Sequence, residues 1–329
     1  MAGNSTPLVS VIMPVYNAKR YVLAAVDSIL GQSFADLELI IVDDCSTDGS
    51  WELVSKIRDP RVKVLRQASN MGYPHAMNLG IEAAKGRFIA RMDADDVSHP
   101  DRIETEVNFL EDHPDVAFVG TTSYWLTPGG KALKRWDPRF NVDSEWVVET
   151  WDTVMNGTRM YTDPTVVALK DDICSVGRYR TYSRTGQDVD LWLRLLEAKP
   201  QAVTIMRPLY GRRLVPEMIT FAVGTRERNK VVRLLAEERK RTGSDAVMRG
   251  ELVSVSLDSN PTSDEWLLSA LVEAEMICAF VGDLYGCLEF ARKSLKVGGC
   301  RALSPLLIAR KIHKLLLVRK SGRLERVRS

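Results

Sequence analysis

Short apolar runs alternate with amphipathic segments along the first 120 residues, and this alternation constrains the fold more than any other feature of the chain. Runs rich in β-branched residues occur at 8–13, 37–42, 62–65 and 87–92. Between them, apolar residues recur at three- and four-residue spacing, as at 21–30, which is the pattern of an amphipathic helix. Strands that alternate with helices in this way predict an α/β fold with a doubly wound, mostly parallel sheet.

The chain has 329 residues, which is enough for one large domain and a smaller one. After about residue 215 the composition shifts to helix-forming residues, and 266–296 has the pattern of a helical hairpin. We therefore predict a sheet-containing domain over residues 1–215 and a smaller helical domain over 216–329. The last segment, 305–329, mixes leucines with arginines and lysines. A basic amphipathic helix of this kind can lie on an anionic membrane face or dock on its own protein, and both alternatives stay open.

Charge and cysteine content exclude several classes of protein. The 45 basic and 43 acidic side chains leave a net charge of only +2, so no nucleic-acid partner is expected. The five cysteines form no C-x-x-C pair, which favours reduced thiols in a cytoplasm. The N-terminus lacks the build of a signal peptide, and no run of about 18 apolar residues is long enough to span a bilayer. We expect a cytoplasmic protein, with contact at the inner face of the membrane through 305–329 left open.

Polar side chains follow three of the predicted strands. Pro14 and Tyr16 follow the first strand, Asp44 follows the second, and Asp93 and Asp95 follow the fourth. In open α/β sheets, ligands bind beyond the carboxyl ends of the strands. The sequence therefore predicts one binding edge that collects these residues.

The acidic segment Asp93-Ala94-Asp95-Asp96 has the composition of a divalent-cation site. Mg²⁺ and Mn²⁺ prefer oxygen ligands and are often held by one or two carboxylates together with substrate phosphates. In an extended loop, alternate side chains point the same way, so Asp93 and Asp95 can address one ion. The alternative is that these aspartates cap a helix or lie in a solvated turn.

Taken together and in order, these motifs resemble the family-two glycosyltransferases of the A fold. The resemblance is strong over residues 8–120 and looser over 163–220. The segments that carry it are 9–17 (Val-Ser-Val-Ile-Met-Pro-Val-Tyr-Asn), 41–49 (Ile-Val-Asp-Asp-Cys-Ser-Thr-Asp-Gly), Asn70, Gly72, 76–80, 86–90, 93–96 and 100–102.

The resemblance implies an inverting enzyme that uses a nucleotide sugar and Mn²⁺ or Mg²⁺, with 1–215 as its nucleotide-sugar-binding domain. Pro14 and Tyr16 would then flank the nucleobase, usually uridine, and Asp44 would accept a hydrogen bond from it. Asp93 would lie by the ribose or diphosphate and, with Asp95, would hold the metal ion. Further nucleotide contacts are implied for Asn70, Asn78, Arg212 and Arg213. For the two asparagines turn and capping roles stay open, and for the two arginines a solvated surface position stays open.

The segment 186–194 resembles the family stretch whose aspartate is the catalytic base of inverting members, and Asp188 is the matching position. Asp190, two positions further on, is the rival candidate, and either aspartate could instead interact with a helix dipole. Gln187 stands where the family usually has glutamate. Asp163 stands where many relatives have histidine, which leaves a third contact to metal or diphosphate open.

The expected reaction moves a sugar from a nucleotide sugar, as substrate, to a glycan or lipid-linked acceptor, in polysaccharide or glycan assembly. A nicotinamide enzyme is disfavoured because Pro14-Val15-Tyr16-Asn17 stands where a G-x-G-x-x-G turn is needed. A nucleotidyltransferase would ordinarily have a glycine-rich basic loop after the first strand. A catalytically silent sugar-nucleotide-binding scaffold is the remaining alternative, and it would hydrolyse no donor with or without acceptor.

Overall fold

The computed structural model describes residues 6–135, 143–182, 186–215 and 225–251, together with 283, 291 and 324–326. The chain divides into two compact units. Unit 1 contains residues 1–123, 143–210 and 229–254, and unit 2 contains 124–142, 211–228 and 255–329.

A parallel sheet forms the centre of unit 1. Its first four strands in sheet order run β3-β2-β1-β4, and neighbouring strands in this part are parallel, with Val9 of β1 opposite Leu37 of β2 and Phe88 of β4. The strands are β1 (Val9–Val15), β2 (Leu37–Asp43), β3 (Val62–Arg66) and β4 (Phe88–Arg91). The helices between them are α1 (Val22–Leu30), α2 (Ser50–Val54) and α3 (Tyr73–Ala83), and α4 (Arg102–Asp112) follows.

Both faces of this sheet are buried. Val9, Val11 and Met13 of β1 belong to a core that includes residues of α1 and α4. Ile12 lies on the other face, in a core that includes residues of α3. Because alternate side chains of a strand point to opposite faces, this burial on both sides explains the nearly continuous apolar runs in the sequence.

Two glycines allow close approach to β1. A Cβ on Gly80 would lie 2.4 Å from Cγ2 of Ile12, so the glycine lets α3 pack directly on the sheet. A Cβ on Gly86 would lie 2.5 Å from the backbone nitrogen of Ser10. The backbone N–H of Gly86 donates to Oγ of Ser10 at 2.8 Å, which ties the segment before β4 to β1.

Beyond β4 the sheet continues with antiparallel pairs. β9 (Val167–Leu169) pairs with β4 and with β6 (Val119–Leu126). β10 (Ala202–Arg213) pairs with the short strands β5 (Val97–Ser98) and β8 (Trp146–Glu149) and with β6. The helices of this part are α5 (Trp151–Asn156), α6 (Lys170–Ser175) and α7 (Gln187–Ala198), and a 3-10 turn spans Asp163–Thr165.

The predicted α/β class with a doubly wound sheet is confirmed. The sequence left 126–162 unassigned, and this part contains β7 (Ala132–Arg135), β8 and α5. β10 was also not predicted over its full length, since only the end of the block around 207–210 was identified. Its run of Arg207 and Pro208 interrupts the apolar pattern, and these two side chains are exposed.

The C-terminal predictions are described only in part. α8 (Thr225–Thr242) is helical as expected, and its residues from 229 onward belong to unit 1. The predicted hairpin at 266–296 lies outside the described residues apart from 283 and 291, so the separate helical domain stays a prediction.

The predicted helix at 305–329 is wrong at Leu324–Arg326, which form strand β11 and pair antiparallel with β7. An open strand edge offers unpaired backbone groups, which explains this pairing. No helix in the described part of the chain is long and apolar enough to cross a membrane.

Candidate functional site

The loops that follow β1 and β2 are hydrogen-bonded to each other. The N–H of Asp44 donates to the carbonyl of Val15 at 2.8 Å, and the N–H of Asn17 donates to Oγ of Ser46 at 3.1 Å. In the other direction, the N–H of Thr47 donates to Oδ1 of Asn17 at 2.8 Å. These bonds fix the carboxyl edge of the sheet at the place where the sequence predicted a binding site.

Asp44 organises the next loop as well. Its carboxylate is 4% exposed and accepts hydrogen bonds from Nε2 of Gln67 and the backbone N–H groups of Met71 and Gly72, at 2.7, 2.8 and 2.8 Å. A carboxylate offers about four lone-pair sites, so one acceptor position is left for a ligand. Asp44 is therefore both a structural anchor of the 67–72 loop and a group that can receive a further donor.

The other residues predicted around the nucleobase lie on the same edge. The ring of Tyr16 is 52% exposed, which is unusual for a large aromatic side chain on the structured part of a sheet edge. Pro14 is half-buried at the end of β1, and Asn70 is half-buried in the loop that Asp44 anchors. An exposed ring beside a fixed carboxylate is an arrangement that a flat heterocycle can use.

The acidic motif begins directly after β4. The N–H of Asp93 donates to the hydroxyl of Tyr210 at 3.1 Å, and its Oδ1 lies 3.4 Å from Nη2 of Arg91. Asp93 and Asp95 are half-buried. Among the described residues, no group of three or more histidine, cysteine, aspartate or glutamate side chains is placed to hold a metal ion. A site with one or two carboxylates can hold an ion whose remaining ligands are water and substrate phosphates.

Asp188 lies in the first turn of α7, two positions after Gly186, whose φ of 78° is left-handed. Its Oδ2 is 3.1 Å from Nη1 of Arg91, and its Oδ1 is buried and accepts no hydrogen bond from a described residue. Burial raises the pKa of Asp188 to about 6, against the lowering effect of Arg91, while Asp163 and Asp93 raise it further. A partly buried carboxylate with a pKa near neutrality has the properties of a general base.

An aromatic layer surrounds this ion pair. The guanidinium of Arg91 lies over the ring of Tyr73, 4.7 Å from its centroid, and Tyr73 packs edge-on against Tyr179 at 6.1 Å. Arg91, Tyr73 and Tyr179 are not among the site residues predicted from the sequence. One feature pointed to Arg91, since it is the charged residue at the end of the otherwise apolar strand β4.

Asp163 is bound within the protein. Its Oδ1 accepts a hydrogen bond from Nε1 of Trp192 at 3.0 Å, and its Oδ2 is ion-paired with Arg159. Each carboxylate oxygen therefore already has a partner. These contacts hold Asp163 to Trp192 and Arg159, and its third contact to metal or diphosphate stays a prediction.

Asp190 is surrounded by arginines and fully buried. Its Oδ2 accepts hydrogen bonds from Nε and Nη2 of Arg194 at 3.0 and 2.8 Å, and its Oδ1 lies 3.6 Å from Arg180 and 3.9 Å from Arg239. A carboxylate paired in this way has no path to a substrate hydroxyl. These surroundings favour a structural role for Asp190, and Asp188 stays the predicted base.

Asn78 and Arg213 make internal contacts. The side chain of Asn78 donates to the carbonyl of Tyr179 and accepts from its N–H, at 2.7 and 3.0 Å, so it holds that backbone segment. In unit 2, Arg213 is buried and donates from Nη1 to the carbonyls of Thr127 and Pro128, at 3.2 and 3.1 Å. The alternative of a solvated surface arginine is therefore wrong for Arg213. Arg212 lies over the ring of Trp125, 4.9 Å from its centroid.

Residues 10–184 match the family described as Glycosyl transferase family 2. The chain belongs to this family. It is a glycosyltransferase and therefore an enzyme. It is 42% identical, over 66% of its length and 83% of the relative, to TuaG of Bacillus subtilis (strain 168), which is named as a teichuronic acid biosynthesis glycosyltransferase.

Two further comparisons bear on this glycosyltransferase. It is 35% identical over 36% of its length to WfaP of Escherichia coli, named as a UDP-Glc:alpha-D-GlcNAc-diphosphoundecaprenol beta-1,3-glucosyltransferase, and the match covers 47% of WfaP. The crystal structure of S. aureus TarS 1-349 in complex with UDP aligns with a TM-score of 0.52 at 16% identity, over 89% of this chain and 90% of TarS 1-349. At this identity, the likeness to TarS shows a shared fold.

Proposed function

We propose that this glycosyltransferase transfers a sugar from a UDP-sugar to an acceptor hydroxyl with inversion at the anomeric carbon. The observation that carries the proposal is the partly buried carboxylate of Asp188, which is 18% exposed, has a pKa raised to about 6 by burial, and faces the acidic motif across Arg91. Family membership gives the reaction class, and the site supplies one candidate base, which is what a single-displacement reaction needs.

In the proposed reaction, Asp188 accepts the proton of the acceptor hydroxyl as that oxygen attacks the anomeric carbon. The bond between the anomeric carbon and the diphosphate oxygen breaks, and UDP leaves with the electron pair of that bond. The proton ends on Asp188 and returns to solvent. A carboxylate with a pKa near 6 is ionised at pH 7 and is still basic enough to assist the attack.

Asp93 and Asp95 would hold a divalent cation, Mn²⁺ or Mg²⁺, together with the donor's phosphates. Such an ion, when bound, neutralises the charge that develops on the leaving diphosphate. The carboxylates of Asp93 and Asp95 contribute oxygen ligands, and the hydrogen bond from the Asp93 N–H to Tyr210 fixes the loop that carries them.

The edge formed by Pro14, Tyr16 and Asp44 would bind the uracil base. The exposed ring of Tyr16 offers a stacking surface, and the remaining acceptor site of Asp44 suits an N–H donor of the base. WfaP and the UDP complex of TarS support uridine as the base, since UDP appears in both printed names. WfaP also supports an acceptor linked to a lipid diphosphate, in the assembly of a polysaccharide or glycan.

Calorimetric titration of UDP into the protein, with and without Mn²⁺, tests the donor assignment. We expect UDP to bind more tightly with Mn²⁺, and we expect Asp95→Asn to remove the Mn²⁺-dependent part while leaving the protein folded. Asp152→Asn, which changes an aspartate in the first turn of α5, is the matched control and should behave as the wild type. Absence of UDP binding in every condition would contradict the uridine assignment.

A further inference from the structure

Arg91 lies between the two acidic groups of the proposed reaction. Nη1 is 3.1 Å from Oδ2 of Asp188, and Nη2 is 3.4 Å from Oδ1 of Asp93. The two carboxylates come from different elements, since Asp93 follows β4 and Asp188 lies in the first turn of α7. One guanidinium therefore connects the acidic motif to the candidate base.

The surroundings of Arg91 fix its orientation. The side chain is only 7% exposed, and the ring of Tyr73 covers one face of the guanidinium. Nε and Nη1 are buried and make no hydrogen bond of good geometry with any described residue. A planar guanidinium that is stacked on a ring and ion-paired at two of its nitrogens has little freedom to rotate.

A buried charge of this kind is a poor source of stability. Removing an arginine and its partners from water costs several kcal/mol, and apolar groups of the same size often stabilise a protein more than a buried ion pair does. The buried Nε of Arg91, which has no hydrogen-bond partner among the described residues, adds to that cost. Its position at the site suggests that it contributes to the reaction rather than to stability.

We propose that Arg91 is a positioning residue of the transfer reaction, which holds the carboxylates of Asp188 and Asp93 at a fixed separation on either side of one guanidinium. The proposal rests on the function proposed above for Asp188. Loss of the guanidinium would let both carboxylates move, and a displacement of about 1 Å at a reacting group can reduce a rate about 100-fold.

Arg91 also affects the ionisation of Asp188. Burial raises the pKa of Asp188, and Arg91 opposes that effect more than any other group. The other charged groups that act on Asp188 are Asp163 and Asp93, which raise its pKa, and Arg159, which lowers it. The aromatic hydroxyls nearby, of Tyr73, Tyr161 and Tyr179, have pKa values raised by burial and stay neutral.

The test compares Arg91→Met, which removes the positive charge, with Arg91→Lys, which keeps the charge but lacks the planar guanidinium group. Turnover of UDP-glucose, UDP-N-acetylglucosamine and UDP-galactose is measured with water as acceptor, and the donor hydrolysed fastest by the wild type is used. For Arg91→Met we expect kcat to fall about 10- to 100-fold with a change in donor KM of less than about 3-fold.

The pH profile separates positioning from a merely structural role. Asp188 must be ionised to act as base, so kcat/KM falls as the pH falls through its pKa, and this fall forms the acidic limb of the pH profile. Without the positive charge of Arg91, that acidic limb should move to higher pH by about one unit or more, because an opposite charge at this distance typically lowers a carboxylate pKa by about 1–3 units. Arg91→Lys should keep the limb within about half a unit of the wild type while kcat stays reduced.

Arg87→Met is the matched control, because Arg87 lies four positions earlier, is exposed, and pairs with Glu111 at 3.6 Å. It should leave kcat and the acidic limb unchanged. A folded Arg91→Met protein with wild-type kcat and an unmoved limb would overturn the inference. If Arg91→Met does not fold, Arg91→Lys decides, and wild-type kcat in that variant overturns the inference. A wild type that neither binds UDP nor hydrolyses any donor would instead refute the proposed function.

Discussion

Asp188 and Asp190 lie two positions apart in the first turn of α7, and their carboxylates have opposite surroundings. Asp188 has one arginine at 3.1 Å and a buried oxygen that accepts no hydrogen bond from the described residues. Asp190 accepts two hydrogen bonds from Arg194 and lies within 4 Å of Arg180 and Arg239. Two aspartates that look equivalent in the sequence therefore have different surroundings, which favour Asp188 as the base and Asp190 as a framework residue.

Asp190→Asn should strongly destabilise the protein. The substitution leaves the buried Arg194 without its carboxylate, and breaking a buried ion pair typically costs about 3–5 kcal/mol of unfolding free energy. Chemical denaturation measures the change. Asp172→Asn is the control, because Asp172 pairs with Lys199 at 2.6 Å in a position where about a quarter of each side chain is exposed. The control should cost about 1 kcal/mol or less. Equal losses for the two variants would contradict a framework role for Asp190.

Tyr210→Phe should loosen the acidic motif without removing a ligand. The hydroxyl of Tyr210 accepts the N–H of Asp93 at 3.1 Å, and its loss leaves that donor unsatisfied, at a cost of about 1–3 kcal/mol. We expect calorimetry to show weaker UDP binding in the presence of Mn²⁺, by about 5-fold or more.

Tyr161→Phe is the matched control for Tyr210→Phe. Tyr161 is also buried, but its hydroxyl has no hydrogen-bond partner among the described side chains and backbone groups. Its replacement should leave UDP binding unchanged. Equal effects of the two substitutions would refute a specific role for the bond between Tyr210 and Asp93.

Glu106→Gln should change how stability depends on pH. Glu106 is fully buried 3.4 Å from Arg102, and burial raises its pKa from 4.5 to about 8, against the lowering effect of Arg102. The folded protein therefore binds this proton more tightly than the unfolded chain does. The resulting stability is fully present below pH 4.5 and is lost as the pH rises through 8.

Between these two pH values, Glu106 should lower the unfolding free energy by about 1.4 kcal/mol for each pH unit. Glutamine cannot ionise, so Glu106→Gln should match the wild type at pH 4.5 and become progressively more stable than it towards pH 8. Thermal unfolding across this range measures the difference. Glu104→Gln changes an exposed residue of the same helix, and its stability should depend on pH in the same way as that of the wild type. The same pH dependence for Glu106→Gln would contradict the account.

The sequence predicted the part of the fold that depends on local pattern. Strands β1, β2 and β4 are apolar because both faces of the sheet are buried, and their carboxyl ends deliver Tyr16, Asp44 and Asp93 to one edge. Those residues were identifiable because the binding edge of an open α/β sheet follows from topology alone.

The remaining features depend on contacts between distant segments. The family resemblance implies a nucleotide contact for Asn78, and only the fold shows that its side chain binds the backbone of Tyr179. Arg91 was passed over for the same reason, because its partner Asp188 lies 97 positions further along the chain. Exposed residues in the middle of strand β10 interrupt its run of buried residues, so the strand was not predicted over its full length.

The most direct test of the central claim follows the sugar released from a UDP-sugar by proton NMR, for the wild type and for Asp188→Asn. With an α-linked donor such as UDP-glucose and water as acceptor, we predict that the β-anomer appears first. We also predict that Asp188→Asn slows release by about 100-fold or more while it still binds UDP. First appearance of the α-anomer, or wild-type turnover by Asp188→Asn, would contradict an inverting transfer with Asp188 as its base.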